Sequence, residues 1–147
     1  MNEKVAHKRD SAHWYWLLLA WITALAATLG ALFIGEIMGQ TPCNLCWYQR
    51  IAMFPLALIL GIACLRSDVE ISRYALPLAV TGAVIALYHS LSYAGVITKS
   101  IVPCGATSCS GSGMTIFGVV PLPYLSALCF GALCLFLALS YKRPSHV

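Results

Sequence analysis

Charged residues are scarce in this chain of 147 residues: they make up 10% of it, and only five are acidic. So few charges exclude the solvated surface of an ordinary soluble domain. The net charge of +4 does not indicate a nucleic-acid partner, because the basic residues cluster at the edges of apolar segments. Internal repeats, low-complexity tracts and the short alternating segments of a membrane β-barrel are also absent from the sequence.

Apolar residues are what the chain has in abundance. They make up 60% of it, and the mean hydropathy is +0.81. A helix needs about 20 apolar residues to cross a bilayer, and lipid offers no partners to unpaired backbone groups. We therefore predict an all-α integral membrane four-helix bundle that forms a single domain over residues 1–147. Its expected spans are residues 14–35, 47–65, 74–94 and 119–139.

The first apolar run is longer than the 7–15-residue core of a secretory signal peptide, so we predict that it is retained as a helix. Basic residues fix the expected orientation, since cytoplasmic loops are enriched in them. All but Arg50 and Lys99 fall in the two tails or in the loop between the second and third spans. This pattern predicts cytoplasmic termini and extracytoplasmic loops at residues 36–46 and 95–118. The clustered residues are Lys4, Lys8, Arg9, Arg66, Arg73, Lys142 and Arg143.

Two of the seven cysteines form a CxxC pair, Cys43 and Cys46, just before the second span. Thr41 resembles a helix cap and Pro42 a first helical residue. A dithiol at a helix amino terminus forms a thiolate more easily, because the helix dipole favours negative charge there. Arg50 follows one turn after Cys46, where its cation could stabilise a thiolate or an anionic ligand. A membrane-edge Arg beside a structural disulfide is the plainer alternative.

A second pair, Cys104 and Cys109, lies in the longest predicted loop. The ring that these two residues would close is small, so a disulfide there would remove little unfolded-chain entropy and stabilise weakly. Weak stabilisation in an exposed loop favours a redox role, with a structural disulfide as the alternative.

His89 is the ionisable side chain of note inside the third span. Ionisable groups at such positions are candidates for function, although a structural hydrogen bond to another helix would also explain it. The three remaining cysteines, Cys64, Cys129 and Cys134, are expected to behave as small buried hydrophobes.

Residues 41–51, Thr-Pro-Cys-Asn-Leu-Cys-Trp-Tyr-Gln-Arg-Ile, resemble the first-loop signature of the DsbB/BdbC disulfide bond formation proteins. The loop with Cys104 and Cys109, followed by residues 117–126, is similar to the short second loop of BdbC-like members. The resemblance implies a quinone-dependent thiol–disulfide oxidoreductase of the cell membrane. Such an enzyme reoxidises an extracytoplasmic DsbA/BdbD-like thiol oxidase with a thioredoxin fold. It passes the electrons to menaquinone or ubiquinone and so supports disulfide formation in secreted proteins.

The same resemblance implies roles for both cysteine pairs. The partner would attack Cys104, and Cys109 would then exchange with Cys43. Cys46 would face the quinone as a thiolate, with Arg50 and His89 lining the quinone site. Neither a metal nor a nucleic acid is expected.

Three other interpretations stay open from the sequence. Four outward-facing cysteines could hold Zn²⁺ in a tetrahedral structural site. The chain could also be a four-span structural protein with inert disulfides. A relative of vitamin K epoxide reductase is a further possibility, although in that family the order of the two cysteine pairs is reversed.

Overall fold

The computed structural model describes residues 2–97, 115–116 and 119–141. Within them the chain is almost entirely helical, which confirms the all-α four-helix prediction. Two short antiparallel strands, which were not predicted, pair Thr115 with Pro121 just before the last helix. The elements are α1 (Asn2–Leu32) with a π-helical continuation (Phe33–Ile37), α2 (Asn44–Arg66), a 3-10 turn (Val69–Ile71), α3 (Ser72–Tyr93), β1 (Thr115–Ile116), β2 (Val120–Pro121) and α4 (Leu122–Ser140).

All four helices are long and apolar enough to cross a membrane, over His13–Ile37, Asn44–Arg66, Val69–Tyr93 and Leu122–Ser140. Large apolar side chains cover the outside of the bundle; Leu65, for example, is 88% exposed. A soluble protein rarely exposes so much apolar surface, whereas lipid accommodates it without penalty. The helices therefore suit a multi-pass membrane protein.

The helices pack as a closed ring, in which α1 and α3 each contact both α2 and α4. Small side chains dominate the buried interfaces, and they let the helix backbones approach closely where no hydrophobic driving force exists between them. The buried alanines are Ala20, Ala24, Ala52, Ala57, Ala63, Ala75, Ala79 and Ala86.

Buried hydroxyl groups fix the register of α3 against α4. The Ser72 and Ser140 hydroxyls lie 2.6 Å apart at one end of the pair. At the other end the Ser90 hydroxyl lies 3.0 Å from the Pro123 carbonyl oxygen, to which it donates. Because each bond joins the start of one helix to the end of the other, the two helices are antiparallel.

The start of helix α2 differs from the prediction. Helix α2 begins at Asn44, so the expectation that Thr41 caps it and Pro42 is its first residue is wrong. Cys43 is the capping residue, with extended backbone angles, and its sulfur accepts a hydrogen bond from the Cys46 backbone N–H at 3.3 Å. The cysteine sulfur therefore satisfies one of the unpaired N–H groups of the first turn, a role usually filled by an oxygen.

Candidate functional site

The CxxC pair forms the centre of the candidate site. The sulfurs of Cys43 and Cys46 are free thiols that lie 2.9 Å apart across the first turn of α2. Cys43 is only 1% exposed, whereas Cys46 is partly exposed. Leu45 and Tyr88 belong to a small apolar cluster around Cys43. The two sulfurs are thus placed for disulfide formation but differ in access.

His89 reaches the pair from α3. Its Nε2 lies 3.9 Å from the Cys43 sulfur, and its Nδ1 lies 3.2 Å from the side-chain nitrogen of Gln49. When the Gln49 amide donates to Nδ1, the neutral ring carries its proton on Nε2, directed at the Cys43 sulfur. His89, a predicted site residue, therefore contacts the dithiol directly. Its ring is buried and lies between the Cys43 thiol and the buried Gln49 amide.

These contacts favour negative charge on Cys43. The hydrogen bond from the Cys46 thiol lowers the pKa of Cys43 most; burial opposes this, and the His89 contact lowers the pKa further, to about 4. The position of Cys43 at the amino terminus of α2 acts in the same direction. The family resemblance implied a thiolate on Cys46 where it faces the quinone; in the reduced pair described here, the hydrogen-bond donors converge on Cys43.

Arg50 is held beside the pair by α1. Its Nη2 donates to the Ala31 carbonyl oxygen at 2.7 Å, and its guanidinium carbon lies 5.6 Å from the centre of the Trp47 ring. Ala31 lies just ahead of the π-helical segment, a kind of distortion that is frequent at functional sites. An added Cβ at Gly35, within that segment, would lie 2.9 Å from Arg50 Nη2. The bare glycine backbone therefore makes room for the guanidinium.

A mostly apolar cavity of about 560 Å³ adjoins these residues. Its size is typical of small-molecule sites, which combine apolar walls with a few polar groups. The polar groups at its end near the dithiol are Cys46, Gln49, Arg50 and His89. Its other walls come from α1, the α1–α2 connection, α2 and α4: Ile22, Thr23, Ala26, Ala27, Gly30, Ala31, Ile34, Gln40, Thr41, Pro42, Met53, Phe54, Leu122, Leu125, Ser126, Cys129 and Phe130.

The structure therefore brings together four of the six predicted site residues: Cys43, Cys46, Arg50 and His89. Cys104 and Cys109 lie outside the described residues, so the second pair stays a prediction. Gln49 was missed, although a polar residue three positions after Cys46 in an apolar helix was a signal for it.

The other cysteines have different surroundings. Cys64 is buried in the core, and Cys134 is partly buried and packs against the core cluster. Cys129 lies at the cavity wall, which its position in a uniformly apolar segment of sequence did not indicate.

A metal ion is also compatible with part of this site. The ligand atoms of Cys43, Cys46 and His89 lie within 4.8 Å of one another.

Comparisons with known proteins agree with the site. The family described as "Disulfide bond formation protein DsbB" matches residues 12–140. A "Probable disulfide formation protein" of Metapseudomonas resinovorans is 58% identical over 134 residues, which cover 90% of this chain and 93% of the relative. "Disulfide bond formation protein C" of Bacillus subtilis (strain 168) is 41% identical over 131 residues, which cover 88% and 95%. No solved structure shows a significant match.

The family match extends from the beginning of the first membrane-spanning stretch to the end of α4, and it includes the dithiol and the cavity. Both the match and the identity to the relatives extend over most of the chain. The chain therefore belongs to the DsbB family of disulfide bond formation proteins, as a multi-pass membrane protein with an oxidoreductase role.

Proposed function

We propose that this protein reoxidises an extracytoplasmic DsbA/BdbD-like thiol oxidase of the thioredoxin fold and passes the electrons to menaquinone or ubiquinone. It would do so in the cell membrane, with both termini in the cytoplasm. The observation that carries the proposal is that one sulfur of the Cys43–Cys46 pair lines an apolar cavity together with Arg50 and His89. A lipid-soluble electron acceptor would thus meet the dithiol inside the bundle.

The cavity residues fit a quinone. Most of the lining residues are apolar, as a ring with an isoprenoid tail requires, and Cys46, Gln49, Arg50 and His89 supply polar groups near the dithiol. Arg50 has one hydrogen-bond partner among the described residues, the Ala31 carbonyl, so further guanidinium donors are available for a quinone oxygen. When bound, the quinone would supply an acceptor for two electrons and two protons.

The two sulfurs of the pair would have different roles. Cys46 lines the cavity, whereas Cys43 does not and is covered by apolar side chains. In the proposed exchange the Cys109 thiolate attacks Cys43 of the oxidised pair. The Cys43–Cys46 bond breaks, the Cys109–Cys43 bond forms, and the electron pair leaves on Cys46.

Which of the two sulfurs carries the negative charge therefore depends on the oxidation state of the Cys43–Cys46 pair. In the fully reduced pair the donors favour a thiolate on Cys43, which stabilises the reduced form and makes the disulfide a stronger oxidant. In the mixed disulfide Cys43 carries no charge, and Cys46 is the sulfur that holds it. Arg50 then lies at the same cavity wall to stabilise that thiolate.

His89 provides a path for protons. Its Nε2 contacts the Cys43 sulfur, and the ring also lines the cavity. When the Gln49 amide oxygen accepts the Nδ1 proton, Nε2 carries a lone pair, so the ring would take a proton released by Cys43 and pass it to the cavity without crossing the apolar packing around the sulfur.

Arg50→Ala tests the proposal in purified protein, mixed anaerobically with the reduced thiol oxidase and a quinone. Quinol formation should slow roughly 10- to 100-fold, the rate equivalent of one lost charge-assisted hydrogen bond. Exchange between the thiol oxidase and Cys104, which does not involve Cys46, should stay measurable in a single turnover. Arg66→Ala, at the opposite end of α2 and exposed, is the matched control and should leave both rates unchanged. Unchanged quinol formation in Arg50→Ala would refute the proposed role.

The partner can be trapped separately. Cys109→Ser should accumulate a disulfide-linked complex through Cys104, and mass spectrometry of that complex identifies the partner. The double variant Cys104→Ser/Cys109→Ser should give none. Absence of the complex in the single variant, or its persistence in the double one, would contradict the proposed order of exchange.

A further inference from the structure

We propose that Cys43, Cys46 and His89 form a binding site for Zn²⁺ that exists only while the cysteine pair is reduced. This goes beyond the proposed electron transfer. It also differs from a structural zinc site built on both cysteine pairs, because it needs neither Cys104 nor Cys109.

The ligand set and its spacing suit the ion. Thiolate sulfur and imidazole nitrogen are preferred Zn²⁺ ligands, at about 2.3 and 2.0–2.1 Å. All three ligand atoms lie within 4.8 Å of one another, so a single ion can reach them. The distance of 3.9 Å between the Cys43 sulfur and His89 Nε2 is close to that of two tetrahedral ligands. The sulfurs, 2.9 Å apart, need to separate by roughly 1 Å, which small side-chain rotations in the first turn of α2 allow.

Gln49 would set the protonation of His89. A metal-binding His needs a lone pair on the ligating nitrogen, and a partner on the other nitrogen holds the ring in that tautomer. The Gln49 amide lies 3.2 Å from Nδ1. With its oxygen turned toward the ring, it accepts the Nδ1 proton and leaves Nε2 free to bind the ion. The same amide, turned the other way, gives the tautomer that donates to Cys43.

The cavity provides entry and the fourth ligand position. Cys46, Gln49 and His89 all line it, so an ion can enter from the cavity without passing the apolar cover of Cys43. Three protein ligands leave one tetrahedral position for water, as in open zinc sites.

Binding releases the protons of the two thiols, and no electrons move. The bound sulfurs can no longer form a disulfide, so Zn²⁺ would hold the protein reduced and inhibit it. Conversely, a Cys43–Cys46 disulfide removes both thiolate ligands and with them the site.

Co²⁺ is the probe for the experiment, because its absorption reports thiolate ligation and tetrahedral geometry directly. The protein is the full chain with Cys104→Ser/Cys109→Ser, reduced with a phosphine under argon. We expect one Co²⁺ per chain with thiolate charge-transfer bands, displacement by Zn²⁺, and no spectrum from the oxidised protein. Cys46→Ser should lose the charge-transfer signature, whereas Cys64→Ser, in the core, should retain it.

Two variants at Gln49 test the contribution of His89 without removing a ligand. Gln49→Leu should weaken Co²⁺ binding about 10- to 100-fold, the usual effect of losing a partner that orients a metal-bound His. Gln49→Glu, which still accepts the Nδ1 proton, should bind at least as tightly as the parent. Any one of three results would overturn the proposed site. They are full Co²⁺ binding by the oxidised protein, an intact spectrum in Cys46→Ser, and equal Co²⁺ affinities of Gln49→Leu and the parent. None of these readouts involves a quinone or a partner, so the proposed function can fail while the zinc site stands.

Discussion

At the scale of single residues, the charge of the Cys43 sulfur is set by three contacts. The Cys46 thiol, the Cys46 backbone N–H and the His89 ring all lie beside it. Each contact comes from a different part of the local fold: the CxxC spacing, the start of α2 and the packing of α3 on α2. The sequence predicted the first, whereas the other two depend on where α2 begins and on how the helices meet.

A pH titration of the reduced protein checks this arrangement. Because the pKa of Cys43 is lowered to about 4, its thiolate should persist well below neutral pH and be lost as the pH falls through that value. Cys46→Ala removes the largest stabilising contact, so the transition should move up toward the ordinary thiol range. The measurement is thiolate ultraviolet absorbance in the Cys104→Ser/Cys109→Ser background, with Cys64→Ser as control. An unchanged midpoint in Cys46→Ala would contradict the assigned cause.

Gly35 tests how Arg50 is positioned. An alanine Cβ there would lie 2.9 Å from Arg50 Nη2 and 3.3 Å from Nη1, so the guanidinium has to shift. Gly35→Ala should raise the KM for quinone roughly 10-fold, in line with the moderate energy of a packing conflict. At Gly131, on α4 and not part of the cavity lining, an added Cβ also meets nothing within 4 Å, so Gly131→Ala is the control. Equal KM values for the two variants would show that Gly35 does not position Arg50.

At the scale of elements, two helix ends determine the site. Helix α2 starts at Asn44, which places Cys43 at its cap, and α1 ends in a π-helical segment beside Arg50. Neither feature could be predicted from the sequence. Thr41 and Pro42 are good helix-start residues locally, and a π-helical segment depends on tertiary contacts such as the one between Arg50 and the Ala31 carbonyl. The apolar spans themselves were predictable, because their length and lack of charge leave few alternatives in lipid.

The α3–α4 interface depends on Gly82. A Cβ at this position would overlap the Phe130 ring, whose side chain is fully buried. We expect Gly82→Ala to destabilise the bundle by about 1–3 kcal/mol, the usual effect of overpacking a well-packed core. Reversible unfolding in mixed detergent micelles measures it. Gly131→Ala, on α4, meets nothing within 4 Å and should not destabilise the bundle. A similar loss of stability in both variants would contradict the assigned conflict with Phe130.

At the scale of the whole molecule, the ring of helices explains why the dithiol and the cavity meet. Cys46 and Arg50 come from α2, His89 from α3, and further walls from α1 and α4. The sequence identified Cys46, Arg50 and His89 but not the cavity, because a cavity is a property of how four helices pack and no local pattern encodes it.

The proposed orientation places the dithiol end outside the cytoplasm. A membrane-impermeant maleimide should therefore label Thr41→Cys in intact cells, in a background with the native cysteines replaced by serine. Glu70→Cys, in the turn at the opposite end of the bundle, should be labelled only after permeabilisation. Both positions are exposed, so access to each depends on the side of the membrane. Labelling of Glu70→Cys in intact cells would contradict the proposed orientation and favour the opposite one.

The most direct measurement of the central claim uses the Cys104→Ser/Cys109→Ser protein, reduced and mixed with quinone under argon. Of the two predicted redox-active cysteine pairs, only Cys43–Cys46 can then supply electrons. Our account predicts one quinol for each Cys43–Cys46 disulfide formed, and none from the same protein with Cys46→Ala. A pair that stays reduced in the presence of quinone, or equal quinol formation by the Cys46→Ala protein, would contradict it.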